Sequence, residues 1–150
     1  MWMKDCNAEW MQYYNPDEDE IVIALILAIR FGNWKSVQVL VPVQTDINAR
    51  DSSELDWTAL MYAVFEESLD MVKLLVEADA NVNVRGSDPD EFPLNLAAYG
   101  CKNAFYYSNE YARNKEIFDY LAPLTSPELR AIAQRNFNGT ANIEAQNFII

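Results

Sequence analysis

An internal repeat with a spacing of about 35 residues constrains this chain more than any other feature of its sequence. When residues 23–50 are laid on residues 58–85, most of the identical positions carry apolar or small side chains. The identical pairs are Ala24 and Ala59, Leu25 and Leu60, Ala28 and Ala63, Val37 and Val72, Leu40 and Leu75, Val41 and Val76, Asn48 and Asn83, and Arg50 and Arg85. A unit this short cannot bury its apolar face alone, so the pattern predicts a stack of similar units.

The first half of the clearest unit reads as a short helix over about residues 58–65. Leu60, Ala63 and Val64 fall at positions i, i+3 and i+4, which share one face of a helix. Thr58 is a candidate N-cap, because its hydroxyl can accept a hydrogen bond from a free amide of the first turn.

The second half of that unit reads as a helix over about residues 69–78, followed by a turn at Asp79, a residue type that tolerates left-handed backbone. A third copy begins at residues 92–98, which align with the first helix. Its second helix aligns only at residues 116–121, so about 12 extra residues separate the two helices. The insertion is placed at residues 101–114.

These units resemble the ankyrin repeat family. Residues 57–64, Trp-Thr-Ala-Leu-Met-Tyr-Ala-Val, look like its T-P-L-H-x-A signature, and residues 93–98 match from the proline onward with Asn95 in the histidine place. Residues 72–83 look like the family's second helix and the turn into its next hairpin. The resemblance covers roughly residues 19–121 and implies an all-α solenoid of paired short helices, although the chain has no histidine.

The predicted layout is one domain with capping helices at both ends of the stack. Ile21–Ile29, nine apolar residues, is predicted to be a helix buried on both sides, since a membrane span needs about 20. Ser126 and Pro127 mark a helix start. The expected parts are an N-terminal cap at 1–16, repeats at 17–53, 54–87 and 88–125, a C-terminal helix at 126–135 and a tail at 136–150.

The net charge of −12 restricts the possible partners. It disfavours direct binding to nucleic acid, because phosphate contacts need lysine and arginine, and it disfavours an anionic membrane surface. It favours a protein partner with a basic surface. Cys6 and Cys101 show no motif spacing and residues 1–14 lack an apolar signal core, so we expect a reduced, cytoplasmic protein. We expect a monomer.

Residue types needed for common catalytic and metal sites are missing. Without histidine there is no Ser-His or Cys-His nucleophile and no imidazole ligand. Four glycines form no phosphate-binding loop. The acidic runs at 17–20 and 88–91 lack the spacing and central glycine of a calcium loop. We therefore predict no catalytic, cofactor-binding or metal-binding residue, and no enzyme.

Acidic residues recur where each repeat begins, and in a stack these positions align along one ridge. The resemblance implies that partners bind to this hairpin ridge and to the concave face of the first helices. Trp57 is either an interface anchor or a ring packed on its own hairpin. The insertion, with Tyr106 and Tyr107, is either a helix extension or a second binding surface. The candidate partner-binding residues are Asp19, Glu20, Arg30, Glu54, Asp56, Trp57, Phe65, Glu66, Asp88, Asp90, Glu91, Tyr99, Tyr106 and Tyr107.

Two functions fit these observations. The first is an acidic binding module or inhibitor that occupies a basic surface, for example on a nucleic-acid enzyme, as immunity and anti-defence proteins do. The second is a neutral scaffold or adaptor whose charge provides solubility only. The salt dependence of partner binding distinguishes them, because only the first is steered by charge.

Overall fold

The computed structural model describes residues 18–147, with side chains described over 20–138. Within that part the chain forms seven α-helices, two short 3₁₀-helices and no β-strand. The α-helices are α1 Glu18–Arg30, α2 Trp34–Leu40, α3 Ala59–Phe65, α4 Leu69–Glu77, α5 Pro93–Asn103, α6 Asn109–Leu121 and α7 Pro127–Asn147. The 3₁₀-helices are Val41–Val43 and Ala122–Leu124.

The helices are arranged as three antiparallel pairs stacked side by side. The first helices of the pairs, α1, α3 and α5, pack against one another in that order, and α2, α4 and α6 form a second row behind them. The last helix, α7, packs against α5 and covers the end of the stack. The predicted all-α solenoid of paired short helices is therefore confirmed.

Small residues recur where the first helices approach each other. Ala28, Ala63 and Ala97 occupy equivalent places in the three pairs, and all three are buried. Val72 and Leu75 of α4 are fully buried as well, as their shared helical face predicts. The repeat identities in the sequence thus follow from close packing, since a larger side chain at the alanines would force the helices apart.

The second helix of each pair starts with a side-chain cap. Asn33 accepts a hydrogen bond from the amide of Ser36 at 3.2 Å, Ser68 from Met71 at 3.4 Å and Ser108 from Tyr111 at 3.1 Å. The predicted cap at Thr58 is only partly right. Thr58 does precede α3, but its hydroxyl accepts no amide, and the oxygen is buried without a hydrogen-bond partner.

The outer face of α1 departs from the prediction. Ile23 and Leu27 are about half exposed, so the helix is not buried on both sides. Its inner face, with Leu25 and Ile29, packs against the second pair of helices. The predicted N-terminal cap at 1–16 lies outside the described residues.

The C-terminal helix is longer than predicted, because α7 continues past residue 135 to Asn147 and includes most of the predicted tail. No proline follows Pro127 to stop it. Phe137 stacks on Phe118 with ring centroids 4.6 Å apart, and the amide of Asn136 donates to Asn95 at 2.8 Å. These contacts hold the middle of the helix against the stack.

The insertion lengthens both helices of the third pair. α5 has 11 residues where α3 has 7, and α6 has 13 where α4 has 9. A short loop at 104–108 joins them, with Tyr107 in the left-handed region at φ 69°. The alternative that the insertion is a helix extension is therefore correct for its backbone.

Asparagine side chains link each repeat to the next. Oδ1 of Asn48 accepts from the amide of Asn81 at 2.6 Å, and Oδ1 of its repeat equivalent Asn83 accepts from the amide of Ser126 at 2.9 Å. We call these two bonds the asparagine links. They explain why asparagine recurs at this position, because each side chain satisfies a backbone donor one repeat further on.

Candidate partner-binding surface

Five carboxylates cluster at the tips of the two hairpins that precede α3 and α5. We call Glu54, Asp56, Asp88, Asp90 and Glu91 the acidic ridge. The tips are joined by a hydrogen bond of 3.0 Å from the amide of Ser87 to the carbonyl of Leu55. The two hairpins are therefore adjacent, while the alignment of their acidic side chains stays a prediction.

Three acids of the ridge carry their charge into solvent. Glu54, Asp88 and Asp90 are exposed and form no ion pair within the described part of the chain, although Asp88 accepts the amide of Asp90 at 3.0 Å. Asp56 is different, because Nη1 of Arg50 lies 3.1 Å from its carboxylate. An anion already paired contributes less to the attraction of a partner.

Asp51 also lies in the first hairpin, but its contacts are internal. Its carboxylate accepts from the amide of Trp57 at 3.2 Å, from the hydroxyl of Ser53 at 2.8 Å and from the hydroxyl of Tyr62. Burial, followed by the hydrogen bond to Asp51, raises the pKa of Tyr62. Asp51 therefore holds the hairpin on α3 and does not belong to the ridge.

Trp57 is buried, and its ring contacts α3 and the hairpin of the third repeat. Its side chain is only 5% exposed, and its ring makes edge contacts with Tyr62 and Phe65 at centroid distances of 5.2 and 5.6 Å. A Cβ at Gly86 would lie 2.9 Å from the indole Cδ1, so only glycine permits this approach. Nε1 donates to Glu91 at 2.7 Å. The ring is thus part of the core in the unbound protein.

Phe65 is the exposed aromatic residue at this place, with 60% of its surface accessible. It ends α3 beside Glu66, whose carboxylate is 3.9 Å from Nε of Arg30. The Arg30 guanidinium lies 5.8 Å from the centroid of the Tyr62 ring. An exposed ring with charged neighbours has the composition of an interface centre with a polar rim.

A cleft of about 340 Å³ opens between the second and third repeats. Phe65 and Tyr99 line it, together with Glu67, Glu91 and Glu110. Glu67 has a left-handed backbone at φ 61° that directs the chain from α3 into α4. The cleft joins four of the predicted surface residues, Trp57, Phe65, Glu91 and Tyr99, with Glu110 of the insertion, which sequence reasoning did not select.

Both carboxylate oxygens of Glu67 are occupied within the protein. Oε2 accepts from Arg113 at 2.9 and 3.2 Å, and Oε1 accepts from Asn114 at 3.0 Å. Since Arg113 and Asn114 lie on α6, these bonds fix the insertion to the turn between α3 and α4. No sequence signal predicts these hydrogen bonds, because the pairing of Glu67 with α6 depends on the direction of the lengthened helix.

The remaining candidates lie apart from the ridge. The acids at 18–20 belong to the first turn of α1, where the helix dipole favours negative charge, and do not sit on a hairpin. Glu20 is exposed there, and the Asp19 side chain is outside the described set. Tyr106 and Tyr107 lie in the insertion loop with their rings 4.3 Å apart, and Tyr107 is 83% exposed.

Within residues 20–138, no group of three or more cysteine, aspartate or glutamate side chains is placed to hold a metal ion. Among the described helices, none is both long enough and apolar enough to cross a membrane.

A family model for ankyrin repeats in three copies matches this chain over residues 7–86 and again over 25–126. The two matches together cover most of the 150 residues. The chain belongs to the ankyrin repeat family. Ankyrin repeats form protein–protein interaction modules, so this ankyrin protein is one as well.

Among curated proteins, alpha-latroinsectotoxin-Lt1a of Latrodectus tredecimguttatus is similar to this ankyrin protein. The two are 35% identical over 95 residues, which is 63% of this chain and 6% of the toxin. The ankyrin protein therefore spans a small fraction of that relative, and the similarity concerns a segment of it.

Proposed function

We propose that this ankyrin protein binds the basic surface of a partner protein through the acidic ridge and the adjoining cleft. The observation that carries the proposal is the set of exposed, unpaired carboxylates at Glu54, Asp88 and Asp90, which recur from one repeat to the next. The net charge of −12 adds a long-range field of the same sign.

A partner that presents lysine and arginine side chains would be steered toward this surface. Charge complementarity mainly raises the association rate and excludes partners of the wrong sign. A basic surface that normally contacts nucleic acid has the required chemistry, since it is built to meet phosphates. Occupying that surface would block the nucleic-acid ligand, so the inhibitory form of the proposal is binding to a nucleic-acid enzyme.

The alternative is a scaffold or adaptor with no inhibitory role, in which the negative charge only keeps the protein soluble. It is favoured by the relative, since the segment similar to this chain makes up only 6% of that protein. In that case partner binding would depend on apolar contacts and would respond weakly to salt.

The test begins with capture of the partner from native lysate and its identification by mass spectrometry. Association kinetics are then measured over a series of salt concentrations with the double variant Glu54→Lys, Asp90→Lys. The matched control is Glu77→Lys, Glu116→Lys, because both pairs are exposed and both change the net charge equally.

We expect the ridge variant to slow association by about 10-fold or more and to flatten its salt dependence. The control variant should retain most of the rate. Equal effects of the two variants would show that only the overall charge matters and would support the scaffold alternative. If the partner is an enzyme, loss of inhibition in the ridge variant alone supports the inhibitory form.

A further inference from the structure

The cleft between the second and third repeats combines exposed aromatic rings with carboxylates. Phe65 and Tyr99 form apolar walls, while Glu91 and Glu110 contribute negative charge. The described residues that line it include no lysine or arginine. The cleft is therefore open to a group that is cationic at its end and apolar along its length.

The carboxylates of the cleft differ in how much hydrogen-bonding capacity they keep. Glu67 uses both oxygens in bonds to Arg113 and Asn114. Only Oε2 of Glu91 is engaged, by the Trp57 indole at 2.7 Å. For Glu110, only the backbone carbonyl accepts a hydrogen bond, from Asn114 at 3.0 Å. Within the described part of the chain, the carboxylate of Glu110 and one oxygen of Glu91 thus have no partner and can accept from a ligand.

We propose that this cleft holds an arginine side chain of the partner protein, with the guanidinium on the Phe65 ring and hydrogen-bonded to Glu91 and Glu110. The proposal rests on the proposed function and names the chemical group of the partner that enters this surface. A planar guanidinium both stacks on aromatic rings and bonds carboxylates in a forked geometry, whereas a lysine ammonium does neither as well.

The size of the cleft fits one side chain. Its volume of about 340 Å³ lies at the lower end of the roughly 300–1,000 Å³ found for ligand pockets. The insertion supplies part of its wall, since Glu110 and Asn103 both lie in residues 101–114. The shorter helices of the first two repeats lack this wall, so the cleft belongs to the junction with the third repeat.

The test uses N-acetyl-arginine methylamide as the probe and the full-length protein labelled with ¹⁵N. The indole N–H of Trp57, which is bonded to Glu91, reports on the cleft by its NMR chemical shift and is assigned with a Trp57→Phe variant. We expect saturable shifts with a dissociation constant on the order of 1 mM, as is typical of a ligand this small. N-acetyl-citrulline methylamide, which is nearly isosteric and uncharged, should bind at least about 10-fold more weakly.

Variants of the protein locate the site. Glu110→Gln and Phe65→Ala should each weaken probe binding several-fold, while Glu77→Gln, an exposed acid on α4 outside the cleft, should leave it unchanged. A second comparison uses Nα-acetyl-lysine methylamide, which should also bind more weakly. Absence of shifts, equal binding of the citrulline or lysine derivative, or unchanged binding by both cleft variants would overturn the arginine assignment. The association kinetics proposed for the acidic-ridge variant do not involve Glu110. The proposed function can therefore be correct even if the arginine assignment is overturned.

Discussion

The indole nitrogen of Trp57 and the carboxylate of Glu91 are 2.7 Å apart, so a buried ring of the second repeat is bonded to a ridge acid of the third. The two residues come from hairpins 34 positions apart in the chain. This bond connects the core to the acidic ridge and places Glu91 at the edge of the cleft.

A double-mutant cycle on this pair tests its contribution. Glu91→Ala should leave the buried indole N–H without an acceptor and lower the free energy of unfolding by about 1–3 kcal/mol. Trp57→Phe removes the donor, so Glu91→Ala should cost less in that background. The expected coupling is about 0.5–3 kcal/mol, measured by urea denaturation. Strictly additive costs would mean that the bond does not contribute to stability.

Phe65 and Tyr107 distinguish the two candidate interfaces. Both side chains are largely exposed, and Phe65→Ala should lower stability by only about 1 kcal/mol through loss of its contact with Trp57. If the partner occupies the cleft, Phe65→Ala should speed dissociation by an amount equivalent to about 2 kcal/mol or more, with little change in association. Tyr107→Ala should leave dissociation unchanged. The reverse pattern would place the interface on the insertion loop.

Gly100 faces the side chain of Asn114 so closely that a Cβ would collide with the amide group. Gly100→Ala should therefore lower the free energy of unfolding by about 1–3 kcal/mol, because buried Asn114 must move and loosen its bond to Glu67. Thermal or chemical denaturation measures the cost. Adding Asn114→Ala should recover part of this lost stability, because the smaller side chain leaves room for the Cβ. If the losses of the two single variants simply add in the double variant, the collision is not the cause.

Cys101 makes stability depend on pH in the alkaline range. Burial, with a smaller contribution from the charge of Asp119, raises the pKa of its thiol from 9.0 to about 12. The folded state therefore favours the protonated thiol, and this stabilisation is complete below pH 9 and is lost between about pH 9 and 12.

The measurement is chemical denaturation at several pH values across that window, compared with Cys101→Ala. Burial also raises the pKa values of Tyr62 and Tyr111, so these two residues likewise lower the stability of the fold as the pH rises. The stability of the variant will therefore still decrease with pH. We expect the variant to lose stability less steeply than the parent. Equal slopes would mean that the Cys101 thiol is not protected by the fold.

Apolar periodicity predicted the helices of the second repeat to within one residue at each end, because it reports directly on which face is buried. Asp79 was placed correctly in the left-handed region, at φ 68°. Local side-chain chemistry was harder to predict. The Thr58 hydroxyl accepts no amide although its position is right, since capping depends on backbone geometry that spacing does not specify.

The candidate surface was predicted in part. The adjacency of the hairpins that carry Glu54, Asp88 and Asp90 followed from the repeat spacing, whereas the burial of Trp57 and the role of Asp51 depend on contacts between hairpin and helix. Glu110 could not be selected from the sequence. It lies at the cleft only because the insertion extends α6 in a particular direction, which the sequence does not reveal. Such contacts between distant segments leave no periodic signal in a single sequence.

The asparagine links give the third repeat a particular freedom. The side chain of Asn83 bonds Ser126 although the insertion lies between them, so α5, α6 and the loop that joins them absorb the added residues. The adjoining ends of these two helices line the cleft with Asn103 and Glu110, whereas the insertion contains no residue of the acidic ridge. A change in the length of the insertion would therefore reshape the cleft and leave the two hairpins of the acidic ridge in place.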